Sequence, residues 1–111
     1  MTRYIEIRSY NLRPGTGANF DRLVVEQAVP MLRRWNVDVV SCRPSLHDAD
    51  SYCLIRAYAS LADREQSQDA FYGSDEWRQG PREAILALIE SYTSVVIEID
   101  EATLQGLRRH D

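Results

Sequence analysis

Lysine is absent from this sequence, and all 13 of its basic residues are arginine. A chain without lysine cannot form a Schiff base with a carbonyl substrate or with pyridoxal phosphate, and it lacks the lysine of a phosphate-binding loop. The two histidines, His47 and His110, form no HxxxH or HExxH pair, and a histidine in a turn-rich loop such as His47 is more typical of plain surface than of a haem ligand. The sequence therefore predicts neither a metal nor a cofactor.

Long apolar runs are also missing. No segment approaches the roughly 20 apolar residues of a transmembrane helix, and strand-like alternation begins at Tyr4, so we expect a cytoplasmic protein with no membrane partner. The net charge of −4 and the scattered arginines argue against nucleic acid as a partner. Cys42 and Cys53 lack CxxC spacing, and we interpret them as buried structural thiols.

The residues that are present suffice for one domain, because 44% of the 111 are hydrophobic. Alternating apolar positions predict strands, helical spacing predicts helices, and Gly and Pro mark the breaks. The predicted elements are a strand over residues 4–10, a helix over 20–35 interrupted at Pro30, strands over 37–42 and 52–59 joined by a hairpin loop, a helical region over 60–92 broken at Gly73 and at Gly80-Pro81, and a strand over 93–99.

This βαββαβ order is typical of the ferredoxin-like α+β sandwich, in which both helical regions cover one face of a four-stranded antiparallel sheet. Strand one then lies between strands three and four. We predict that residues 1–100 form this domain and that residues 101–111 form a polar tail or a short helix.

The strands alternate between two kinds of side chain, so each face of the sheet can be described separately. Odd-numbered positions are small or apolar, and we assign them to the helix-covered face: Ile5, Ile7, Cys53, Ile55, Ala57, Val95, Ile97 and Ile99. Even-numbered positions mix aromatic and charged side chains: Tyr4, Glu6, Arg8, Tyr10, Leu54, Arg56, Tyr58, Val96 and Glu98. The second face is too aromatic for an ordinary wet surface, and we predict that it pairs with a second copy in a homodimer.

The even-numbered face also carries the candidate chemistry. Arg8, Arg56, Tyr10 and Tyr58 can bind a carboxylate or enolate through guanidinium and phenolic hydrogen bonds. Glu6 or Glu98 is a candidate base if desolvation raises its pKa, and either can pair with Arg8 or Arg56. The alternative is that these charges only fix the register of two sheets.

A second candidate site lies between the sheet and the broken helical region. There, Trp35, Tyr72, Trp77 and Tyr92 are the aromatic residues that can line a cavity. The alternative is that they are simple core, since aromatic rings bury a large area.

Two segments resemble a known family. Residues 5–15 read Ile-Glu-Ile-Arg-Ser-Tyr-Asn-Leu-Arg-Pro-Gly and resemble the first strand and turn of NIPSNAP proteins, and residues 71–77 read Phe-Tyr-Gly-Ser-Asp-Glu-Trp and resemble that family's stretch before the last helix. The resemblance extends over about residues 4–99. It implies that two sheets pack face to face into a dimeric α/β barrel, in a superfamily of cofactor-independent monooxygenases, isomerases, decarboxylase-like enzymes, haem enzymes and members without assigned activity. It supplies no set of catalytic residues, so the reaction stays open.

Two functions remain open. The first is binding of a small aromatic or acidic metabolite by Arg8, Tyr10, Arg56, Tyr58 and Trp77, with or without monooxygenase- or isomerase-like catalysis. The second is a non-enzymatic homodimeric interaction module, since the sequence shows no nucleophile, metal cluster or cofactor motif. A pocket of roughly 300 Å³ or more with converging polar groups would favour the first, and a fully packed interior would favour the second.

Overall fold

Four strands form a single antiparallel sheet in the order β2-β3-β1-β4 in the computed structural model, which describes residues 2–108. The strands are β1 (Thr2–Leu12), β2 (Asp38–Pro44), β3 (Ser51–Tyr58) and β4 (Ile89–Asp100). As predicted, β1 lies between β3 and β4, and β2 and β3 are antiparallel neighbours. The ferredoxin-like α+β fold is thereby confirmed.

The first helical region is split in the way that Pro30 requires. It consists of α1 (Gly17–Leu23), a π-helical turn (Val24–Ala28) and α2 (Val29–Arg34). Proline has no N–H to donate to the carbonyl four residues back, and the helix widens just before it so that the Val29 N–H donates to the Val24 carbonyl. The interruption predicted at Pro30 is therefore a π turn.

The second helical region comprises α3 (Leu61–Tyr72), α4 (Asp75–Gln79) and α5 (Arg82–Leu86). Serine side chains cap α3 and α4. The Ser60 hydroxyl accepts from the Asp63 N–H at 2.9 Å, and the Ser74 hydroxyl accepts from the Trp77 N–H at 3.2 Å. These caps leave Gly73 and Gly80 as the breaks between helices, as the sequence predicted.

The prediction that the last helix extends to Tyr92 is wrong. Helix α5 ends at Leu86 and β4 begins at Ile89, which pairs with Leu12, while Tyr92 pairs with Tyr10. The spacing of apolar residues fits a helix there, but the long first strand offers a ladder of backbone hydrogen bonds that extends β4 instead.

The helices cover the even-numbered face of the sheet, and the predicted assignment of the two faces is therefore wrong. The core contains Tyr10, Leu54 and Tyr58 together with Phe20 and Phe71 from the helices. The odd-numbered side chains share one face, as predicted, but that face lies away from helices α1 to α5. On it, Val95 is 55% exposed and Ile97 is 41% exposed. The predicted dimer interface through Tyr4, Arg8, Arg56 and Glu98 fails with this assignment, because Arg8 and Arg56 lie beneath the helices.

A sixth helix, α6 (Glu101–Leu107), packs on one end of the odd-numbered face. Its Leu104 is fully buried among Ile5, Val40 and Ala57. Ion pairs hold both ends of this helix, since Glu101 binds Arg3 of β1 at 3.5 Å and Arg108, the residue after the helix, binds Asp38 of β2 at 2.8 Å. The final part of the predicted tail, including His110, lies outside the described residues.

The turn after β1 contacts the β2–β3 loop closely. Gly15 has a φ of +82°, which favours glycine, and a Cβ on Gly17 would lie 1.8 Å from the Ala49 carbonyl oxygen. The Asp50 carboxylate accepts hydrogen bonds from the N–H groups of Gly15 at 3.0 Å and Gly17 at 3.1 Å. Glycine at position 17 is thus required by space.

Two smaller points complete the fold. Cys42 and Cys53 are each only partly buried, so their interpretation as buried thiols is wrong in degree. Within residues 2–108, no helix is long and apolar enough to cross a membrane.

Candidate anion-binding site

The polar face of α3 builds the candidate site. Helix α3 buries only one apolar residue, Phe71, so it does not pack on the sheet through an apolar stripe. Instead Arg64, Gln68 and Tyr72 recur every four residues, which places them on one side of the helix. All three side chains bond to charged groups on β1 and β3.

Glu6 of β1 is the centre of this polar cluster and is fully buried. Its Oε1 accepts from the Arg56 Nε at 3.1 Å and from the Gln68 Nε2 at 3.0 Å, and the Arg56 Nη2 makes a further short contact. Its Oε2 accepts from the Arg64 Nη2 at 2.5 Å and from the Arg8 Nη2 at 3.4 Å. Of the predicted alternatives, Glu6 is the carboxylate that pairs, and it pairs with both arginines, whereas Glu98 is exposed and makes no ion pair within residues 2–108.

These donors decide the charge on Glu6. Burial alone would raise the pKa of this carboxyl group, but the attraction of Arg56, the hydrogen bonds from Arg64 and the charge on Arg8 outweigh burial and lower the pKa to about 2. A carboxylate with so low a pKa is a poor proton acceptor near neutral pH. The prediction that Glu6 could become a base through a raised pKa is therefore wrong.

The cluster has more positive charge than negative. Three guanidinium groups, those of Arg8, Arg56 and Arg64, surround the single carboxylate of Glu6. The Arg56 side chain is fully buried, and the Arg8 side chain is only 11% exposed. Buried cations in proteins are normally paired, so this excess is the unusual feature of the site.

Tyr72 and Tyr92 take up the remaining faces of the two inner guanidinium groups. The Tyr72 hydroxyl accepts from the Arg56 Nη1 at 2.7 Å and from the Arg8 Nη1 at 3.4 Å. The Arg8 guanidinium also lies 4.6 Å from the centre of the Tyr92 ring, a cation–π distance, and its Nε donates to Ser94 at 3.0 Å. These neutral contacts orient the two arginines without neutralising them.

An aromatic cavity lies beside Tyr72, the residue whose hydroxyl binds the two arginines. It measures about 30 Å³ and is lined by Tyr10, Phe20, Val24, Ala28, Leu32, Leu54, Phe71, Tyr72, Trp77 and Ile85. Burial raises the pKa of Tyr10 to about 12, so its hydroxyl stays protonated. Two cavity residues, Val24 and Ala28, come from the π-helical turn, a type of irregularity that is frequent at functional sites.

A second, open depression lies outside the cavity. It measures about 600 Å³ and is lined by Tyr72, Gly73, Asp75, Arg78, Gln79, Arg82 and Glu83. Tyr72 lines both the open groove and the aromatic cavity.

The structure brings together most of the residues that the sequence singled out. Arg8, Tyr10 and Arg56 converge, and Trp77 lines the adjoining cavity with its ring 5.5 Å from that of Tyr72. Tyr58 lies on the other side of Glu6, where its hydroxyl accepts from Gln68 at 3.1 Å. Of the four aromatic residues predicted to line a cavity, Tyr72 and Trp77 do so, whereas Trp35 is 37% exposed and Tyr92 is 53% exposed.

Sequence reasoning missed Arg64 and Gln68 and did not connect Tyr72 to the arginines. The four-residue spacing of these three polar side chains, in a helix whose apolar residues form no continuous stripe, was the signal that could have identified them. Within the described residues, no group of three or more His, Cys, Asp or Glu side chains is arranged to hold a metal ion.

Comparison with solved structures identifies the fold. A NIPSNAP family protein from Agrobacterium tumefaciens superimposes with a TM-score of 0.80 and 19% identity over 89% of this chain and 87% of its own. A NIPSNAP-like domain protein from Burkholderia xenovorans superimposes with a TM-score of 0.78 and 18% identity over 86% of this chain and 83% of its own. This chain has the fold of the NIPSNAP family.

The same fold also occurs in a protein that is not described as a NIPSNAP protein. A candidate antibiotic biosynthesis monooxygenase from Bordetella bronchiseptica has a TM-score of 0.66 and 20% identity over 91% of this chain and 98% of its own. No protein-family model matches the sequence, and no curated protein does. The similarity to NIPSNAP structures confirms the resemblance seen in the sequence. A shared fold does not identify a ligand or a reaction for this chain.

Proposed function

We propose that this protein is a homodimer that binds a small organic anion with an aromatic body at Arg8 and Arg56. The observation that carries the proposal is the charge of the cluster, in which three guanidinium groups share the one carboxylate of Glu6. An anionic oxygen placed beside Arg8 and Arg56 would reduce this excess and gain charge-assisted hydrogen bonds.

The surroundings of the two arginines suit such a ligand. The guanidinium N–H groups meet at the Tyr72 hydroxyl, and Tyr72 in turn lines a cavity walled by the rings of Tyr10, Phe71 and Trp77. Small-molecule sites commonly combine apolar walls with a few oriented polar groups. The cavity of about 30 Å³ holds little more than one water molecule, so binding requires that its wall moves.

The cluster is better suited to binding than to catalysis. Glu6 already accepts hydrogen bonds from three arginines and Gln68, and its pKa is about 2. It therefore contributes as a fixed negative charge that holds the arginines in place and not as a group that takes up a proton.

The experiment compares anion binding by the wild type and by Arg8→Met and Arg56→Met variants. Methionine keeps most of the aliphatic volume and removes the guanidinium donors. We expect benzoate to raise the melting temperature of the wild type, with benzamide as the neutral control. Each substitution should weaken benzoate binding by roughly tenfold or more, since a hydrogen bond to a charged group contributes about 1.5–3 kcal/mol.

The matched control is Arg22→Met, because Arg22 is an exposed arginine of α1 that bonds only locally, to Asn19 at 2.5 Å. It should bind benzoate as the wild type does. If a panel of small aromatic and aliphatic carboxylates leaves the melting temperature of the wild type unchanged, the binding proposal fails. The alternative, a non-enzymatic interaction module, is favoured by the small cavity and would then be preferred.

The proposed homodimer uses the odd-numbered face of the sheet. Val95 and Ile97 are exposed on it, and Leu104 and Leu107 of α6 cover only one end, around Ile5 and Ala57. The NIPSNAP resemblance implies that two sheets pack face to face, and this face offers the apolar surface that such packing needs.

Sedimentation equilibrium of an Ile97→Asp variant tests the dimer. A buried unpaired carboxylate opposes association, so we expect a dimer in the wild type and a monomer in the variant. Val25→Asp is the control, because Val25 is 49% exposed on the opposite side of the molecule, in the π-helical turn. A monomeric wild type at micromolar concentration would contradict the dimer, and a dimeric Ile97→Asp variant would contradict the choice of face.

A further inference from the structure

Tyr72 occupies an unusual position between the two spaces described above. It is the last residue of α3, it is half-buried, and it is followed directly by Gly73. Tyr72 lines both the aromatic cavity and the open groove. Helix ends open more easily than the middle of a helix or a sheet, so Tyr72 lies where a side chain can be displaced at low cost.

The Tyr72 hydroxyl stands where an anionic oxygen would be expected. It accepts hydrogen bonds from the Arg56 Nη1 at 2.7 Å and from the Arg8 Nη1 at 3.4 Å. Within residues 2–108, both of its hydrogen bonds to these guanidinium groups are accepted and none is donated to a third group. The Nη1 groups of both arginines thus share one neutral acceptor, which an oxygen with a full negative charge would replace favourably.

The ring of Tyr72 likewise occupies the place of an aromatic ligand. It packs edge-on against Phe71 at 5.0 Å and against Trp77 at 5.5 Å, with interplanar angles of 81° and 79°. This is the edge-to-face arrangement that aromatic pairs prefer. The Tyr72 side chain therefore combines an aromatic ring and an oxygen bound by Arg8 and Arg56, which are the two features of the proposed ligand.

We infer that Tyr72 is a specificity-determining gate: it holds the position of the ligand's ring and oxygen, and it is displaced when a ligand enters from the groove lined by Arg78 and Arg82. The inference rests on the proposed function and names the ligand class more closely. A ligand that replaces Tyr72 at the arginines has an aromatic ring of about the size of benzene with an anionic oxygen at one end, as in a benzoate or a phenolate.

The distinguishing consequence concerns Tyr72→Phe. The substitution keeps the ring that closes the cavity but removes the oxygen that competes for the N–H groups of Arg8 and Arg56. We expect benzoate to bind to Tyr72→Phe roughly tenfold more tightly than to the wild type, because a competing hydrogen bond to a charged group is removed. A tyrosine that merely supports the fold would give unchanged or weaker binding when its hydroxyl is lost.

Isothermal titration calorimetry with benzoate measures this difference. Tyr52→Phe is the matched control, because Tyr52 is also a buried tyrosine, but it lies outside the polar cluster and its hydroxyl donates to Asp21 at 2.7 Å. Its benzoate affinity should equal that of the wild type. Tyr72→Ala removes the ring as well. Its ligand association can be followed by stopped-flow fluorescence of Trp77 in a Trp35→Phe background. We expect Tyr72→Ala to bind benzoate faster than the wild type does and to bind the larger 2-naphthoate as well.

The outcomes separate the gate from the proposed function. Tighter binding by Tyr72→Phe, with Tyr52→Phe unchanged, supports the gate. If benzoate binds to the wild type in an Arg8-dependent manner but Tyr72→Phe binds equally or more weakly, the gate is refuted and the proposed function survives. If neither the wild type nor Tyr72→Phe binds benzoate, both are refuted. Tyr72→Phe is nearly isosteric, so the decision does not depend on whether Tyr72→Ala folds.

Discussion

Replacing Glu6 by glutamine tests how strongly the buried cluster stabilises the fold. The substitution keeps the size of the side chain and removes its charge, which leaves Arg8, Arg56 and Arg64 without their shared carboxylate. Breaking one side of a buried ion pair is strongly destabilising, because the remaining charges stay desolvated. We therefore expect Glu6→Gln to lower the free energy of unfolding at neutral pH.

The magnitude follows from the pKa of Glu6, which folding lowers from 4.5 to about 2. Each tenfold change in a proton equilibrium corresponds to about 1.4 kcal/mol, so ionised Glu6 contributes about 3 kcal/mol of stability at pH 7. Because the pKa in the folded state is the lower one, this contribution is complete above about pH 5 and is lost as the pH falls through 4.5 towards 2. About half of it should remain at pH 3.

Urea unfolding of the wild type and Glu6→Gln between pH 3 and pH 7, at one protein concentration, measures the effect. We expect the difference in free energy of unfolding to be about 3 kcal/mol at pH 7 and to shrink as the pH falls, since a protonated glutamate resembles glutamine. Glu76→Gln is the control, because that carboxylate is exposed and its partner Arg34 is 59% exposed, and it should change stability far less. A difference that is constant with pH, or absent at pH 7, would refute the role assigned to the charge on Glu6.

Two further pairs of variants test packing. Trp77→Ala should lower the free energy of unfolding by about 3 kcal/mol because the ring is only 6% exposed, whereas Trp35→Ala, at a 37% exposed position, should cost clearly less, as measured by urea denaturation. Equal losses would contradict the assignment of Trp77 to the core. Gly17→Ala should destabilise by about 3 kcal/mol, because its Cβ would meet the Ala49 carbonyl oxygen at 1.8 Å. In Gly106→Ala, the added Cβ meets no atom within 4 Å, and the position lies inside α6. Alanine should therefore increase the free energy of unfolding by about 1 kcal/mol, which a higher melting temperature would show. A stable Gly17→Ala variant would show that the loop moves freely.

The alternation of the strands predicted which residues share a face but not which face the helices cover. Ile5, Ile97 and their odd-numbered neighbours do lie together, because side-chain direction has a period of two in any strand. Both faces carry enough apolar side chains to be buried, so apolar content by itself did not identify the face that the helices cover. The charges of Glu6 and Arg56 argue against burial of the even-numbered face, yet both residues are buried.

Burial is possible because the partners of Glu6 and Arg56 come from another element. Arg64, Gln68 and Tyr72 of α3 complete the hydrogen bonds, and this turns a costly pair of charges into a tolerable one. A strand sequence read by itself cannot reveal such partners. The arginine and tyrosine chemistry was nevertheless predicted at Arg8, Tyr10 and Arg56, since these side chains alternate on one face with no intervening irregularity.

The absence of lysine and the low pKa of Glu6 together make the cluster insensitive to pH. Arginine keeps its charge at any pH at which a protein remains folded, and Glu6 is ionised well above pH 2. From about pH 4 to pH 9, the four side chains Glu6, Arg8, Arg56 and Arg64 therefore hold a constant net charge. Any pH profile of anion binding at this site would consequently report the ionisation of the ligand itself, so that titrating affinity against pH becomes a way to measure the acidity of an unidentified ligand.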